Sequence, residues 1–331
     1  MLRSGRVQAA DRELQALLAD RRRVLGDDHL ATLTTRYYLA RVVTRRGRLA
    51  DARARFSRLA PHAAMLLGDE DRLVLEIRHG AAVVEALSGR LAAAEAALEE
   101  IHAVRNRVYG PGDPDTLATR EQLVWVVGTA GRVSTALAES SRVLQDTVRV
   151  LGEHHPHSLA ALYRRIWVLG LAGRRAEAFD LLPRFEALTR EVGADELRCA
   201  SLTAWLLRLD GRLDSAARAS AAAVDLHTEV LGPHEVETMR SLDALGLVHL
   251  LQGRLPAAET IFRDVLDRRI RELGEEHLDT LVARMHLAGV LMRRGHFSAA
   301  ARELALMRDG VRGVDPEHPL VRRLPDVGWG R

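Results

Sequence analysis

The chain has 331 residues, of which 47% are hydrophobic but only 4% aromatic, and its 48 basic side chains nearly balance its 45 acidic ones. Every one of these basic residues is arginine, so mechanisms that need a P-loop lysine or a lysine Schiff base are excluded. Cys199 is the sole cysteine, which rules out an internal disulfide and fits a reducing compartment. The lack of lysine is typical of a GC-rich bacterial genome.

The first sixty residues are strongly basic, with 14 arginines against 6 acidic residues. Such a surplus can attract nucleic acid, but arginine on exposed helix faces is more often a solvated surface, and nucleic-acid binding is not predicted. The N-terminus lacks the apolar core of a signal peptide, and no run of about 18 apolar residues could span a membrane. We therefore expect a cytoplasmic protein with no membrane partner.

A Gly-Arg pair recurs along nearly the whole chain at a constant spacing, interrupted by one shorter step. An alanine stands five residues after each of these glycines. An aliphatic residue stands five residues before each of them except the first. A fixed period in this range indicates an array of small units, each of which must stack on its neighbours to bury its apolar face. The glycines are Gly5, Gly47, Gly89, Gly131, Gly173, Gly211 and Gly253, and Gly295-His296 completes the series.

The unit over residues 25–66 predicts a pair of antiparallel helices. A first helix is expected over about 32–46 and a second over about 48–66, because Gly47 can adopt the positive φ of a turn between them. Ala52 is expected where the two helix backbones approach closely.

The loop that opens each unit also recurs, for example as Leu25-Gly26-Asp27-Asp28-His29, Leu151-Gly152-Glu153-His154-His155-Pro156 and Leu273-Gly274-Glu275-Glu276-His277. Together with the glycine and alanine positions, this loop resembles the 42-residue tetratricopeptide repeats of kinesin light chain type, over residues 5 to about 320. The resemblance implies an all-α, right-handed superhelical solenoid of antiparallel helix pairs. It also implies a concave groove, lined by the first helices, that binds peptides or partner proteins.

Three segments are expected along the chain. Residues 1–24 form an N-terminal half-repeat with a second helix only, residues 25–314 form one solenoid domain of seven helix pairs, and residues 315–331 begin a truncated repeat. The half-repeat leaves an apolar face uncovered, formed by Val7, Ala10, Leu14 and Leu18. A fragment, a misassigned start, a partner on this face, or self-association through this helix would each account for it.

Two positions of the first helix are candidates for ligand binding. At the sixth position before the linking glycine stand Arg41, Trp125, Trp167 and Trp205, and one turn earlier stand Tyr37, His79, Glu121 and Tyr163. The resemblance places both positions on the concave surface, and Arg45 and Arg208 would flank them. Because Trp, Tyr and Arg dominate binding energies, this set would suit an extended peptide with aromatic and acidic residues. The tryptophans could instead pack one first helix on the next, as apolar residues at this position commonly do in the family, and the two roles overlap.

The family's paired asparagines, which face the groove in kinesin light chains, are replaced in this chain, for example by Tyr37-Tyr38 and His79-Gly80. Clamping of a peptide main chain by paired carboxamides is therefore not expected, and a ligand must be held differently.

Signals for metal and cofactor binding are thin. His155 falls on the recurring loop histidine, with His29, His277 and His318, and is expected to order its loop. Only His154 and His157 are additional, so no metal site is predicted. Gly110-Pro111-Gly112 lacks the Gly-Lys-Ser/Thr sequence of a phosphate loop, so no nucleotide cofactor is predicted either.

The sequence therefore predicts a non-catalytic scaffold that binds a protein or peptide. The alternative is a sensor segment of a larger signalling ATPase or transcriptional regulator, suggested by the half-repeat. An enzyme is disfavoured, because no convergent set of acid, base and nucleophile can be assigned.

Overall fold

The computed structural model describes residues 4–193 and 196–313, and within these ranges it contains fifteen α-helices and no strand. The chain divides into two compact units between Ala161 and Leu162, inside α8. The first unit contains α1 (Ser4–Leu25), α2 (Leu30–Arg45), α3 (Leu49–Leu67), α4 (Arg72–Leu87), α5 (Leu91–Val108), α6 (Pro114–Thr129), α7 (Val133–Leu151) and the start of α8 (Pro156–Leu171). The second unit contains the rest of α8, α9 (Arg175–Val192), α10 (Glu196–Leu209), α11 (Leu213–Leu231), α12 (Val236–Leu251), α13 (Leu255–Leu273), α14 (Leu278–Arg293), α15 (Phe297–Gly310) and a 3-10 turn at Val311–Gly313.

The all-α fold of repeated helix pairs is confirmed, with even-numbered helices as the first of each pair. The linking glycine of the first complete pair, Gly47, has φ of 73°, as the predicted turn requires. The first helix starts slightly earlier than the sequence suggests, at Leu30. The reason is the cap: His29 Nδ1 accepts a 3.1 Å hydrogen bond from the backbone N–H of Ala31.

This capping role recurs in the opening loops. His155 and His277 accept from the backbone N–H of the second residue after them, at 3.2 and 3.1 Å, and Asp71 and Asp113 do the same at 2.8 and 3.0 Å. The expectation that the loop histidines order their loops is therefore confirmed, except at His318, which lies outside the described residues.

One alanine and one aliphatic residue per repeat form the apolar centre. The alanines are at most 1% exposed and the aliphatic residues at most 4% exposed. Within each unit an alanine shares its core cluster with the aliphatic residue of the following repeat, as Ala94 does with Val126 in the first unit and Ala258 with Val290 in the second. The two sets are Ala52, Ala94, Ala136, Ala178, Ala216, Ala258 and Ala300, and Val42, Val84, Val126, Val168, Leu206, Val248 and Val290.

First helices also contact one another within each unit. In the first unit α2 contacts α4 and α4 contacts α6, and in the second unit α10 contacts α12 and α12 contacts α14. Helices α2, α4 and α6 therefore form one continuous layer in the first unit, and α10, α12 and α14 form another in the second. The shorter step of the glycine series falls on α10, which is 14 residues long, whereas the other first helices are 16 residues long.

The N-terminal helix α1 packs on α2. Leu14 and Leu18 are partly buried, whereas Leu17 and Val24 are 39% and 67% exposed. The side chains of Val7 and Ala10 lie outside the described part, as does the segment 315–331, and the three-segment division stays a prediction. None of the described helices is long and apolar enough to cross a membrane.

Two glycines inside first helices predict opposite effects of alanine. A Cβ on Gly246 would lie 2.6 Å from the buried ring of Phe262, so Gly246→Ala should lower the free energy of unfolding by about 1–3 kcal/mol. No atom lies within 4 Å of a Cβ on Gly289, so Gly289→Ala should raise it by up to about 1 kcal/mol. Urea denaturation measures both, and two changes of the same sign would contradict this packing.

Candidate ligand-binding face of the first helices

All of the predicted site residues lie on first helices, and we call this set the first-helix face. In the first unit it comprises Tyr37, Arg41 and Arg45 on α2, His79 on α4, and Glu121 and Trp125 on α6; in the second it comprises Tyr163 and Trp167 on α8, and Trp205 and Arg208 on α10. Each unit brings its own members together in a different way.

Tyr37 joins α2 to α4 in the interior of the first unit. Its side chain is 5% exposed and meets Phe56 edge-on, with ring centroids 6.4 Å apart. Its hydroxyl donates a 2.6 Å hydrogen bond to Glu76 Oε2. Burial, together with the nearby Glu76 charge, raises the pKa of Tyr37, so the phenol remains a donor. Little of this ring is open to a ligand, and a binding role for it stays a prediction.

The exposed part of the same helix is cationic and aromatic. Arg41 and Arg45, one turn apart, are both exposed, and neither forms an ion pair with a described acidic residue. The Arg41 guanidinium lies 5.5 Å from the Tyr37 ring centroid and 5.9 Å from that of Tyr38, a cation–π arrangement. Tyr38 is 45% exposed. This end of the first-helix face therefore offers two guanidinium groups and one ring to solvent.

A buried arginine holds Glu76 in place through a hydrogen bond. Arg105 on α5 is 1% exposed, and its Nη2 donates to Glu76 Oε1 at 2.6 Å. Its Nη1 donates to the backbone oxygen of Asp115 at 3.0 Å and to Thr119 Oγ1 at 2.8 Å. Burial raises the pKa of Glu76, but Tyr37 and Arg105 outweigh burial and hold that pKa below its usual range. One second-helix side chain thus ties α4, α5 and α6 together.

His79 lies within this charged cluster without a hydrogen-bond partner for its Nε2, which is buried among the described residues. Burial lowers the pKa of His79 to about 4, with Arg105 and Arg41 adding to the effect and Glu76 and Glu121 opposing it. The imidazole is therefore neutral at pH 7.

Trp125 packs on the apolar cluster of the first unit that contains Ala94, Leu98 and Val126, and it is only partly buried. One side of the indole thus serves packing between repeats, and the remaining surface is open.

The second unit surrounds its aromatic residues with arginine. Tyr163 packs against Phe185 at 6.0 Å between ring centroids, and the Arg198 guanidinium of α10 lies 5.5 Å from the Tyr163 centroid. Arg164 lies 5.4 Å from the centroid of Trp167, which is partly buried. Tyr163 therefore contacts an arginine of the next repeat, Arg198, whereas Tyr37 in the first unit contacts a glutamate of the next repeat, Glu76.

Trp205 and Arg208 follow on α10. The Trp205 ring lies so close to Gly170 of α8 that a Cβ there would overlap it. Trp205 therefore packs on the preceding first helix, although part of its surface is exposed. Arg208, one turn later, is half-buried.

Asp243 on α12 occupies the register of Tyr37 and Tyr163 and is buried. Its Oδ1 accepts a 2.9 Å hydrogen bond from His286 Nδ1 on α14, and its Oδ2 lies 3.8 Å from Arg269 Nη2 on α13. Burial raises the pKa of Asp243, but His286 and Arg269 outweigh burial and hold it below its usual range.

A register on the second helices that carries buried or partly buried arginines was not predicted. Arg21, Arg105 and Arg269 occupy it, all at the same distance after their linking glycines. Each donates to a backbone oxygen at the start of the next first helix, at 2.7, 3.0 and 2.7 Å. The recurrence of arginine there was a usable signal. It was diluted because the same register holds Ala63, Thr147, Thr189 and His227 in other repeats.

Among the described residues, no group of three or more His, Cys, Asp and Glu side chains is placed to hold a metal ion. The rings of His155 and His157 lie 5.2 Å apart, and His155 Nδ1 is occupied in capping α8.

Two family models described as tetratricopeptide repeat match this sequence, one over residues 1–62 and 202–271 and the other over residues 74–115. Together they span more than half of the chain. The chain belongs to the tetratricopeptide repeat family. The resemblance expected from the loop, glycine and alanine positions is thereby confirmed. No curated protein matches the sequence significantly.

Two solved structures agree with the fold of this tetratricopeptide repeat protein. A Rap protein complexed with competence and sporulation factor matches with a TM-score of 0.66 and 13% identity, over 95% of this chain and 80% of that one. A tetratricopeptide repeat protein from Parabacteroides merdae matches with a TM-score of 0.51 and 12% identity, over 88% and 98%. Repeats of a putative kinesin light chain from Podosopora anserina also match, with a TM-score of 0.45 and 24% identity, over 57% and 89%.

The buried His79 predicts a pH-dependent contribution to stability. Its pKa is about 4 in the folded chain, against an ordinary value of 6.5, so the unfolded chain binds more protons between these values. Stability is therefore lost as the pH falls from 6.5 towards 4, by up to about 1.4 kcal/mol per pH unit. His79→Gln removes this loss, so urea denaturation across the window should show the variant gaining on the wild type.

His296→Gln, at an exposed histidine, is the matched control and should run parallel to the wild type. A constant difference between His79→Gln and wild type over the whole window would contradict the burial of His79.

Proposed function

We propose that this tetratricopeptide repeat protein is a non-catalytic scaffold that binds a segment of a partner protein along its first-helix face. The observation that carries the proposal is the exposure of Arg41 and Arg45 beside Tyr38, with no acidic partner for either guanidinium among the described residues. Exposed side chains of this kind, on a continuous layer of helices, form the extended surfaces by which repeat arrays bind other proteins.

The similar Rap protein supports the same class of activity. It is complexed with competence and sporulation factor, so an array of this fold holds a bound molecule in that case. At 13% identity the likeness concerns the fold, and the ligand of the present chain must be argued from its own residues.

Those residues favour an extended segment with acidic and aromatic side chains. Guanidinium groups bind carboxylates through two parallel hydrogen bonds and also stack on rings. Arg41 and Arg45 supply such groups in the first unit, beside the exposed ring of Tyr38. Self-association through α1 is a separate part of the proposal, since Leu17 and Val24 are exposed there.

Replacing Arg41 and Arg45 together by alanine should weaken the binding of a peptide selected from a random display library by at least about tenfold. The reason is the loss of both exposed cations from the first-helix face. Fluorescence anisotropy at fixed ionic strength measures the change, after circular dichroism has shown that the variant is folded.

Arg55→Ala/Arg58→Ala is the matched control, because both of these arginines are exposed on the second helix α3. It should bind the peptide as the wild type does. Undiminished binding by the Arg41→Ala/Arg45→Ala variant would contradict the proposed site. Equal losses of affinity in both variants would also contradict it, because the binding would then be non-specific charge attraction.

A further inference from the structure

Arg208, in the last turn of α10, is half-buried, and its guanidinium makes no hydrogen bond or ion pair with any described residue. The buried arginines of the same unit are satisfied: Arg269 donates to the backbone oxygen of Asp279 at 2.7 Å, and Arg284 donates to Glu303 Oε2 at 2.7 Å. Burial lowers the pKa of Arg208, and the nearby Asp243 opposes only part of this effect. A partly buried guanidinium that has no anionic partner within the protein can accept one from a ligand.

Asp243 does not supply that anion. Both of its carboxylate oxygens face other side chains: Oδ1 lies 2.9 Å from His286 Nδ1, and Oδ2 lies 3.8 Å from Arg269 Nη2. Asp243, Arg269 and His286 therefore form a network of contacts that does not include Arg208.

The register of Arg208, at the third position before the linking glycine, carries no charge in any other repeat. It holds Thr44, Ala86, Gly128, Gly170, Leu250 and Met292. At Gly170 the following first helix comes so close that its tryptophan fills the space of a Cβ. First helices therefore pack against each other through small or apolar residues at this register. Because Arg208 is the one charged residue there, its charge points to a role other than packing.

We propose that Arg208 binds a carboxylate of the partner segment, with Trp205 forming an aromatic wall one turn earlier on α10. Residues three apart share a helix face, and the planar guanidinium can hold a carboxylate through two hydrogen bonds. The proposal rests on the proposed function, since it takes the ligand to lie on the first-helix face. It adds the chemistry of one ligand group, an Asp or Glu side chain or a C-terminal carboxylate, and its place in the second unit.

Titration of fluorescein-labelled hexaglutamate into the full-length chain tests this directly, with hexaglutamine as the neutral probe. The wild type should bind hexaglutamate and not hexaglutamine, and Arg208→Gln should weaken the binding by about tenfold or more. Arg208→Lys, which keeps the charge but loses the planar fork, should fall between them. Arg302→Gln, at an exposed arginine of the second helix α15, is the matched control and should bind like the wild type.

The stability of the unliganded variant separates binding from a structural role. Removing an unpaired, half-buried charge should leave the urea midpoint of Arg208→Gln unchanged or raised. A lowered midpoint would mean that Arg208 stabilises the fold, which would contradict the inference.

Equal affinities of wild type and Arg208→Gln for hexaglutamate would overturn the inference. Full displacement by inorganic phosphate at the same ionic strength would also overturn it, because the site would then take anions generally. If hexaglutamate fails to bind while the library-selected peptide still depends on Arg41 and Arg45, the carboxylate site is wrong and the proposed function stands.

Discussion

The contact between the alanine of one repeat and the aliphatic residue of the next holds consecutive repeats together within each compact unit. Ala94 with Val126, and Ala258 with Val290, belong to single core clusters that join consecutive repeats, and all four residues are fully buried. Only a small side chain lets two helices approach this closely, and close packing is sensitive to a single methyl group. Because the alanine and the aliphatic residue recur in every repeat, each repeat depends on its neighbour for its core.

The polar side chains between repeats divide into two kinds. Arg105 and Arg269 are buried; each donates to a backbone oxygen of the next first helix and also faces a carboxylate, Glu76 at 2.6 Å and Asp243 at 3.8 Å respectively, so they hold one first helix to the next. Arg41 and Arg45 are exposed, and Arg208 is half-buried without a partner among the described residues. Buried cations of the first kind complete the fold, whereas those of the second kind leave charge available, which is why the binding proposals rest on them.

The sequence alone was sufficient for the helix pairs, the linking glycine, the buried alanine and the capping histidines, because each recurs at a constant spacing. It was not sufficient for Tyr37, whose register also holds Glu121 and Ser201; only the contacts with Phe56 and Glu76 show that this ring is interior. The isolation of Arg208 was likewise invisible, since it depends on how Asp243 is shared between two other helices. Periodicity identifies the residues that the repeats have in common, whereas the candidate site consists of residues that differ from one repeat to the next.

A partner segment that binds this protein should contact the first helices above all. Photo-crosslinking measures this most directly: a benzophenone is placed at successive positions of the library-selected peptide, and the attachment sites on the chain are read by mass spectrometry. We expect attachment on α2, α4 and α6 or on α8, α10 and α12. Attachment confined to second helices such as α3, α7 or α11 would contradict the proposed binding face.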